Sequence, residues 1–231
     1  MLSATLDGSI IGRAKSAGIL EINYINIRDF AANKHKKVDD YPYGGGTGMV
    51  MTCQPIFDAY QSIVSGFDHK PLTIYLTPQG KMFRQSVAKR LTKEKHIILI
   101  CGHYEGVDQR VLDEIVDMEL SVGDFVLTGG EIAAMAIVDS IGRLVDGVLP
   151  NEDAHSKESL NNSLLEHPQY TRPAEWNGKT VPEILLNGNH AEIDKWKRKQ
   201  SIIATYTKRC GMLRGAKLSD KEQEFVEKLK F

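Results

Sequence analysis

Three glycine-containing turns follow three apolar runs: Leu76-Thr77-Pro78-Gln79-Gly80, Cys101-Gly102-His103-Tyr104-Glu105-Gly106 and Leu127-Thr128-Gly129-Gly130-Glu131. Ligands of parallel α/β sheets bind at the carboxyl ends of strands, and glycine there lets backbone come close to a ligand. One such turn is only a tight connection; three at one end of one sheet point to a small-molecule pocket. No Gly-x-Gly-x-x-Gly follows a strand, and no Gly-x-x-x-x-Gly-Lys-Ser/Thr phosphate loop is present. A Rossmann dehydrogenase, a Rossmann methyltransferase and a P-loop NTPase therefore lose ground. His103-Tyr104-Glu105 has the His-x-Glu of zinc deaminases, but their Pro-Cys-x-x-Cys partner is absent. His103 reads as a polar loop residue.

The charged candidates each leave two readings open. Asp39-Asp40 beside Gly44-Gly45-Gly46-Thr47-Gly48 fits a solvated acidic turn, or a pair that holds a cation or accepts from a ligand's N–H groups. Arg143 fits an i,i+4 ion pair with Asp139 or an arginine offered to an anion. Lys195, Arg198 and Lys199 share one helical face, with Trp196 pointing elsewhere. That face suits solvent or phosphates, since phosphate contacts need only clustered cations. Lys34-His35-Lys36-Lys37 is a second basic cluster.

The elements that must position these residues are legible from periodicity. Residues 8–17 predict a helix stopped at Gly18, and Leu20–Ile25 alternates as a strand does. A long polar loop runs from about 28 to 48. Then helices at 54–65, 82–91 and about 131–145 alternate with strands at 72–76, 96–101, 115–119 and 124–127, with a short helix after Gly102. Apolar strands alternating with helices predict a parallel sheet covered on both faces. Residues 150–157 are polar and read as a linker between an α/β domain, 1–149, and a small helical domain, 158–231. The second domain predicts a helix over 189–207 with Ile193, Trp196, Ile203 and Tyr206 on its inner face. A last helix opens at the capping box Ser219-Asp220-Lys221-Glu222, with Phe225, Val226 and Leu229 inward.

The 231 residues are 42% hydrophobic and 26% charged, which excludes wholesale disorder. No apolar run is long enough to span a membrane. Three cysteines, an odd number far apart, argue against a disulfide framework and fit a reducing cytoplasm. The net charge of -1 excludes a general polycation, so nucleic acid would meet local patches. Residues 151–231 carry 14 Lys+Arg against 12 Asp+Glu, whereas the remainder carries 15 against 18.

These features together resemble the bacterial tRNA (guanine-N1)-methyltransferases, the TrmD family of the SPOUT superfamily. The matching stretches are Ile27–Phe30, Val38-Asp39-Asp40-Tyr41-Pro42-Tyr43-Gly44-Gly45-Gly46, Cys101–Asp108, Val122–Glu131, Tyr170-Thr171-Arg172-Pro173 and Gly188–Ile193. They run in family order across nearly the whole chain. The resemblance implies a SPOUT-type α/β domain with a deep trefoil knot, a homodimer with its active site at the subunit interface, and S-adenosylmethionine held among the three turns. Tyr75, Leu76, Thr77 and Pro78 would line one wall, and Gly102, Tyr104 and Glu105 another. Val122, Gly123, Asp124, Phe125, Val126 and Leu127, with Gly129 and Gly130, would close the third. The implied substrate is the guanine immediately 3′ of the anticodon in tRNA, methylated at N1.

By the same resemblance Glu158 stands where the family has its aspartate base, and Arg143 matches the arginine that stabilises charge at O6. Asp39 and Asp40 fall in the substrate-binding part. The helical domain would grip the anticodon region through Lys195, Arg198 and Lys199, and magnesium would assist. The chain departs from the family at Thr47, His103 and Ala133, where Pro, Arg and Pro are usual. The family also begins with an apolar strand before a methionine that aligns with Met1. A chain lacking that strand is expected to be less soluble or less active than one carrying it. Two other readings compete: a knotted methyltransferase acting elsewhere on RNA, and a dimeric RNA-binding protein without turnover.

Overall fold

A computed structural model of the chain describes residues 1–150, 159–160 and 163–229, in two compact units, Met1–Pro150 and Asn151–Phe231. The first unit runs α1 (Leu2–Leu6), α2 (Ser9–Ser16), β1 (Asp39–Asp40), β2 (Val50–Met51), α3 (Cys53–Val64), β3 (Leu72–Met82) and α4 (Gln85–Leu91). It continues through β4 (Ile97–Cys101), α5 (Gln109–Ile115), β5 (Met118–Ser121) and α6 (Glu131–Gly142). β3 lies between β4 and β5, and all three are parallel.

Thr73, Ile74, Tyr75 and Leu76 are all buried, as a central strand covered on both faces requires. Tyr75 packs with Ile56 and Tyr60 of α3, and with Val111, Leu112 and Ile115 of α5, on one face. Ile74 and Leu76 pack with Leu91 of α4 and Ala133, Ala134 and Ile137 of α6 on the other. Ile74 and Ile137 are fully buried; each such side chain contributes roughly 1.5–3 kcal/mol. The α/β character and the parallel sheet thus agree with the sequence reading.

Several expected elements differ. Leu20–Ile25 is extended but belongs to no strand among the described residues. Its alternation survives in burial only over the first half, with Leu20 and Ile22 half-buried and Glu21 and Asn23 exposed, whereas Tyr24 and Ile25 are both exposed, and a strand also needs a ladder partner. Residues 124–127 form no strand, Asp124 and Phe125 lying in a bend, and the preceding strand is Met118–Ser121 rather than 115–119. The helix expected from 82 begins only at Gln85, because β3 continues to Met82.

The second unit contains β6 (Glu175–Trp176), β7 (Lys179–Thr180), α7 (His190–Arg209) and α8 (Asp220–Lys228). The β6–β7 hairpin was absent from the helices-only expectation. The buried positions of α7 are Ile202 and Thr205, one residue away from the expected Ile203 and Tyr206. Thr205 explains why apolar counting misplaced the face: its hydroxyl donates to the Ser201 carbonyl at 2.6 Å and accepts from Leu165 N–H at 2.8 Å. The Ser219 capping box forms as expected, and Phe225, Val226 and Leu229 are half-buried.

Candidate active site

The pairing register decides where the glycine turns open. Leu76 of β3 pairs with Cys101 at the end of β4 and with Leu120 near the end of β5. The chain therefore leaves three neighbouring strands at one level. β3 does not end there, however. Leu76 and Lys81 both pair with Leu120, so Thr77-Pro78-Gln79-Gly80 is looped out as a bulge within the strand rather than a strand-to-helix turn. Pro78 and Gln79 project into solvent. Gly80 returns the chain against β5, where a Cβ would stand 2.5 Å from Leu120 N.

The second and third turns are fastened to each other. Gly130 N–H donates to the Gly102 carbonyl at 2.9 Å, and His103 forms an antiparallel bridge with Gly129. A Cβ on Gly130 would lie 2.7 Å from Cys101 Cα and 3.2 Å from Gly102 N, so only glycine permits this approach. His103 Nε2 and Glu131 Oε1 are 2.5 Å apart, which joins the second turn to the first residue of α6. The side chain of Tyr75 lies beneath the second turn, its hydroxyl 3.0 Å from where a Cβ on Gly102 would be. Burial pushes its phenol up, Glu119 adds to this, and a hydrogen bond from Val107 N–H opposes it.

The long loop is anchored to the same place. Met51 N–H donates to the Gly106 carbonyl at 2.9 Å and Glu105 N–H to the Met49 carbonyl at 3.0 Å. The β1–β2 pairing then sets Asp39 and Asp40 one strand away. Asp40 accepts from Tyr41 N–H at 2.9 Å and from Lys37 Nζ at 3.4 Å, and that amide, then the ammonium, hold its carboxyl below the usual range. Arg28, to which sequence reading gave no role, donates to the Lys36 carbonyl at 3.0 Å and the Tyr104 hydroxyl at 3.4 Å. No spacing rule links residues 28 and 104; only the motif order hinted at it.

The rim of these turns is open and mixes large apolar side chains with exposed Glu105 and Asp124. Phe125 is 54% exposed, Val126 83% and Tyr104 55%. Ser121 Oγ accepts from Gly123 N–H at 3.2 Å and donates to the Gly123 carbonyl at 3.0 Å, which fixes the start of the third turn. Burial, assisted by the Glu131 charge, pushes the Cys101 thiol up to about 12, which favours its protonated form. Burial and then Asp108 raise Cys53 as well, whereas Cys210 is exposed. Of the expected cofactor residues, Gly102, Gly129 and Gly130 are thus brought together directly, Tyr75 lies buried beneath Gly102, Leu76 is buried at the level of Cys101, and Tyr104, Glu105, Phe125 and Val126 are exposed. Flat apolar rim residues around backbone turns suit a ligand with a planar ring and hydrogen-bonding edges.

Other expected residues are not brought there. Arg143 is the C-cap of α6, which begins beside the turns at Gly130 and spans 12 residues, about 18 Å of helix. Glu158 lies outside the described residues, as do 151–157. In the second unit the expected cationic stripe is divided. Lys195 Nζ pairs with Glu192 Oε1 at 2.7 Å, and Lys199 Nζ sits 5.0 Å from the centroid of the Phe225 ring. Arg198 clasps Glu222 at 2.7 and 3.3 Å and donates to the Lys217 carbonyl at 2.8 Å. That guanidinium, with Ser219 behind it, outweighs burial and lowers the Glu222 carboxyl to about 2. Among the described residues no three His, Cys, Asp or Glu side chains form a metal-binding group, so the magnesium expectation finds no ligand set there. Among them too, no helix is long and apolar enough to cross a membrane.

A family model described as tRNA (Guanine-1)-methyltransferase TrmD matches residues 1–215. A protein named tRNA (guanine-N(1)-)-methyltransferase from Ruminiclostridium cellulolyticum is 54% identical over 209 residues, 90% of each chain. One of the same name from Alkaliphilus oremlandii is 52% identical over 235 residues, 100% of this chain and 94% of the relative. A third, from Clostridioides difficile, is 52% identical over 210 residues, covering 90% and 91%. With a match over most of its length and relatives at half identity, the chain belongs to the tRNA (guanine-1)-methyltransferase TrmD family.

Proposed function

We propose that the protein transfers a methyl group from S-adenosylmethionine to N1 of the guanine immediately 3′ of the anticodon in tRNA. The observation that carries this is the family match over residues 1–215, joined to a register that opens three turns at one level of the sheet. When bound, S-adenosylmethionine supplies a methyl group on a cationic sulfur. Tyr75, Leu76, Thr77 and Pro78, then Gly102, Tyr104 and Glu105, then Val122 to Leu127 with Gly129 and Gly130, would hold it mainly through backbone, with Tyr104 and Phe125 as apolar walls.

Guanine N1 carries a proton at neutral pH, so its electron pair is not free to attack. The Glu158 carboxylate would accept that proton as the N1–methyl bond forms, a role worth about 10²–10⁴ in rate. As that proton leaves, negative charge develops transiently at O6, where the Arg143 guanidinium would stand; the methyl–sulfur bond breaks as the N1–methyl bond forms, leaving neutral S-adenosylhomocysteine and N1-methylguanine. The length of α6 argues that this arginine serves the turns of a second copy, since its own lie about 18 Å of helix away. The exposed Phe125 and Val126 at the rim favour the same homodimer. The family's trefoil knot belongs to this reading, and the β4-β3-β5 order is compatible with it. No step is assigned to magnesium.

The test is methyl transfer from labelled S-adenosylmethionine to two tRNA transcripts, one with guanine and one with adenine 3′ of the anticodon. Label on the guanine transcript alone is expected. Label on neither, with the donor still bound, would support the RNA-binding reading instead. Glu158→Ala and Arg143→Ala each abolishing transfer, and a mixture of Arg143→Ala with a donor-site variant regaining it, is the outcome expected of a shared site.

A further inference from the structure

We infer that His103 and Glu131 form a latch that sets the spacing of two walls of the donor site, and so act as positioning residues for S-adenosylmethionine. The inference rests on the donor-binding part of the proposal above. Sequence pattern gives neither residue a role, and His103 reads there as a polar loop residue.

Three observations converge on the pair. It spans two turns that belong to different strands, with Nε2 and Oε1 2.5 Å apart, and Glu131 is the first residue of α6. It folds over Gly129: a Cβ there would be 2.6 Å from both Glu131 Oε2 and His103 Cε1. The backbone of the same two turns is already bridged, His103 to Gly129, with Gly130 N–H on the Gly102 carbonyl. The side-chain bond is thus the outer clasp of a joint whose inner clasp is main chain. Main-chain bonds fix the approach of the two turns; the outer clasp fixes the angle at which they diverge, and a ligand lying between them meets that angle.

Position also matters for the chemistry of the pair. Glu131 at the head of α6 complements the helix dipole, and its Oε1 is held by His103 Nε2. The imidazole side chain is 44% exposed and the carboxylate side chain 25%, so solvent weakens the bond without replacing it. A partly exposed, charge-assisted hydrogen bond of this kind corresponds to roughly fivefold to tenfold in affinity when it orders a site.

The test is calorimetric binding of S-adenosylmethionine to the full-length protein and to His103→Ala, His103→Gln, His103→Arg and Glu131→Gln. His103→Ala should weaken binding about fivefold to tenfold, and His103→Gln and His103→Arg, which keep a donor, should recover most of the loss. In turnover, KM for the donor should rise more than kcat falls, with KM for tRNA unmoved. The double variant His103→Ala/Glu131→Gln should be no worse than His103→Ala, because both remove one interaction. Donor affinity within twofold of the unaltered protein in His103→Ala would overturn the latch alone, as would additive losses in the double variant. Failure of the unaltered protein to bind S-adenosylmethionine would overturn both the donor reading and the latch.

Discussion

The two units hold their parts together by different means. In the first, the turns at the ends of β4 and β5 meet main chain to main chain, with Gly130 against Cys101 and Gly102, and the β3 bulge meets β5 the same way at Gly80. In the second, α7 meets α8 through long side chains, with Arg198 bound to Glu222 and to the Lys217 carbonyl. The contrast separates two kinds of sensitivity. The backbone part of such a joint is indifferent to pH and salt but admits no added carbon atom. A joint made of charges tolerates small steric changes but follows the protonation of one carboxyl.

Gly130→Ala tests the first half of that contrast and has the largest expected effect. The new Cβ faces backbone that cannot swing aside, so a loss of about 1–3 kcal/mol is expected, together with weaker donor binding; melting temperature and calorimetry read both. A Gly130→Ala protein with unchanged melting temperature would remove the distinction. Arg198→Ala should cost the second unit about 1 kcal/mol, given that the pair is partly exposed, and should leave donor affinity unaltered.

The third test is acid. Glu222 has a folded-state value of about 2, below the roughly 4.3 of an unfolded chain. As pH falls through that interval the unfolded state takes up the proton first, so stability present above about 4.3 is lost on the way to 2. Thermal unfolding between pH 5 and pH 2.5 should show a slope that Glu222→Gln flattens. The smallest effect belongs to Lys195→Ala. Its partner Glu192 is exposed, so stability should stay within about 0.5 kcal/mol, while the salt dependence of tRNA binding should fall by about one counterion. An unchanged salt slope would leave Lys195 a solvated residue.

The same division shows what sequence could reveal. The alternation of strands and helices was readable because both faces of the sheet are covered, so β3 and β4 appear as continuous apolar runs. The bulge at Thr77–Gly80 was not, because a turn and a bulge ask for the same residues and differ only in what they pair with. Leu20–Ile25 had the period of a strand, but a period cannot supply a neighbour. The hairpin had a usable signal: Asn177-Gly178, both with positive φ, is the pair favoured by two-residue hairpin loops, though flanking strands of two residues gave it no alternation to frame. In the site, the three turns were legible from glycine and order. The meeting of Arg28 with Tyr104 and the engagement of Arg198 by Glu222 depend on distant segments that no local pattern connects.

The three cysteines carry a practical consequence. Cys101, raised to about 12, and half-buried Cys53 hold little thiolate at neutral pH, and thiolate is the species that reacts with alkylating reagents. Cys210 is exposed just beyond α7. A maleimide dye applied briefly should therefore attach at a single position, in the second unit and at a distance in sequence from every donor-site turn. The unaltered protein thus offers a ready fluorescent handle for following tRNA engagement by that unit without engineering a cysteine-free background.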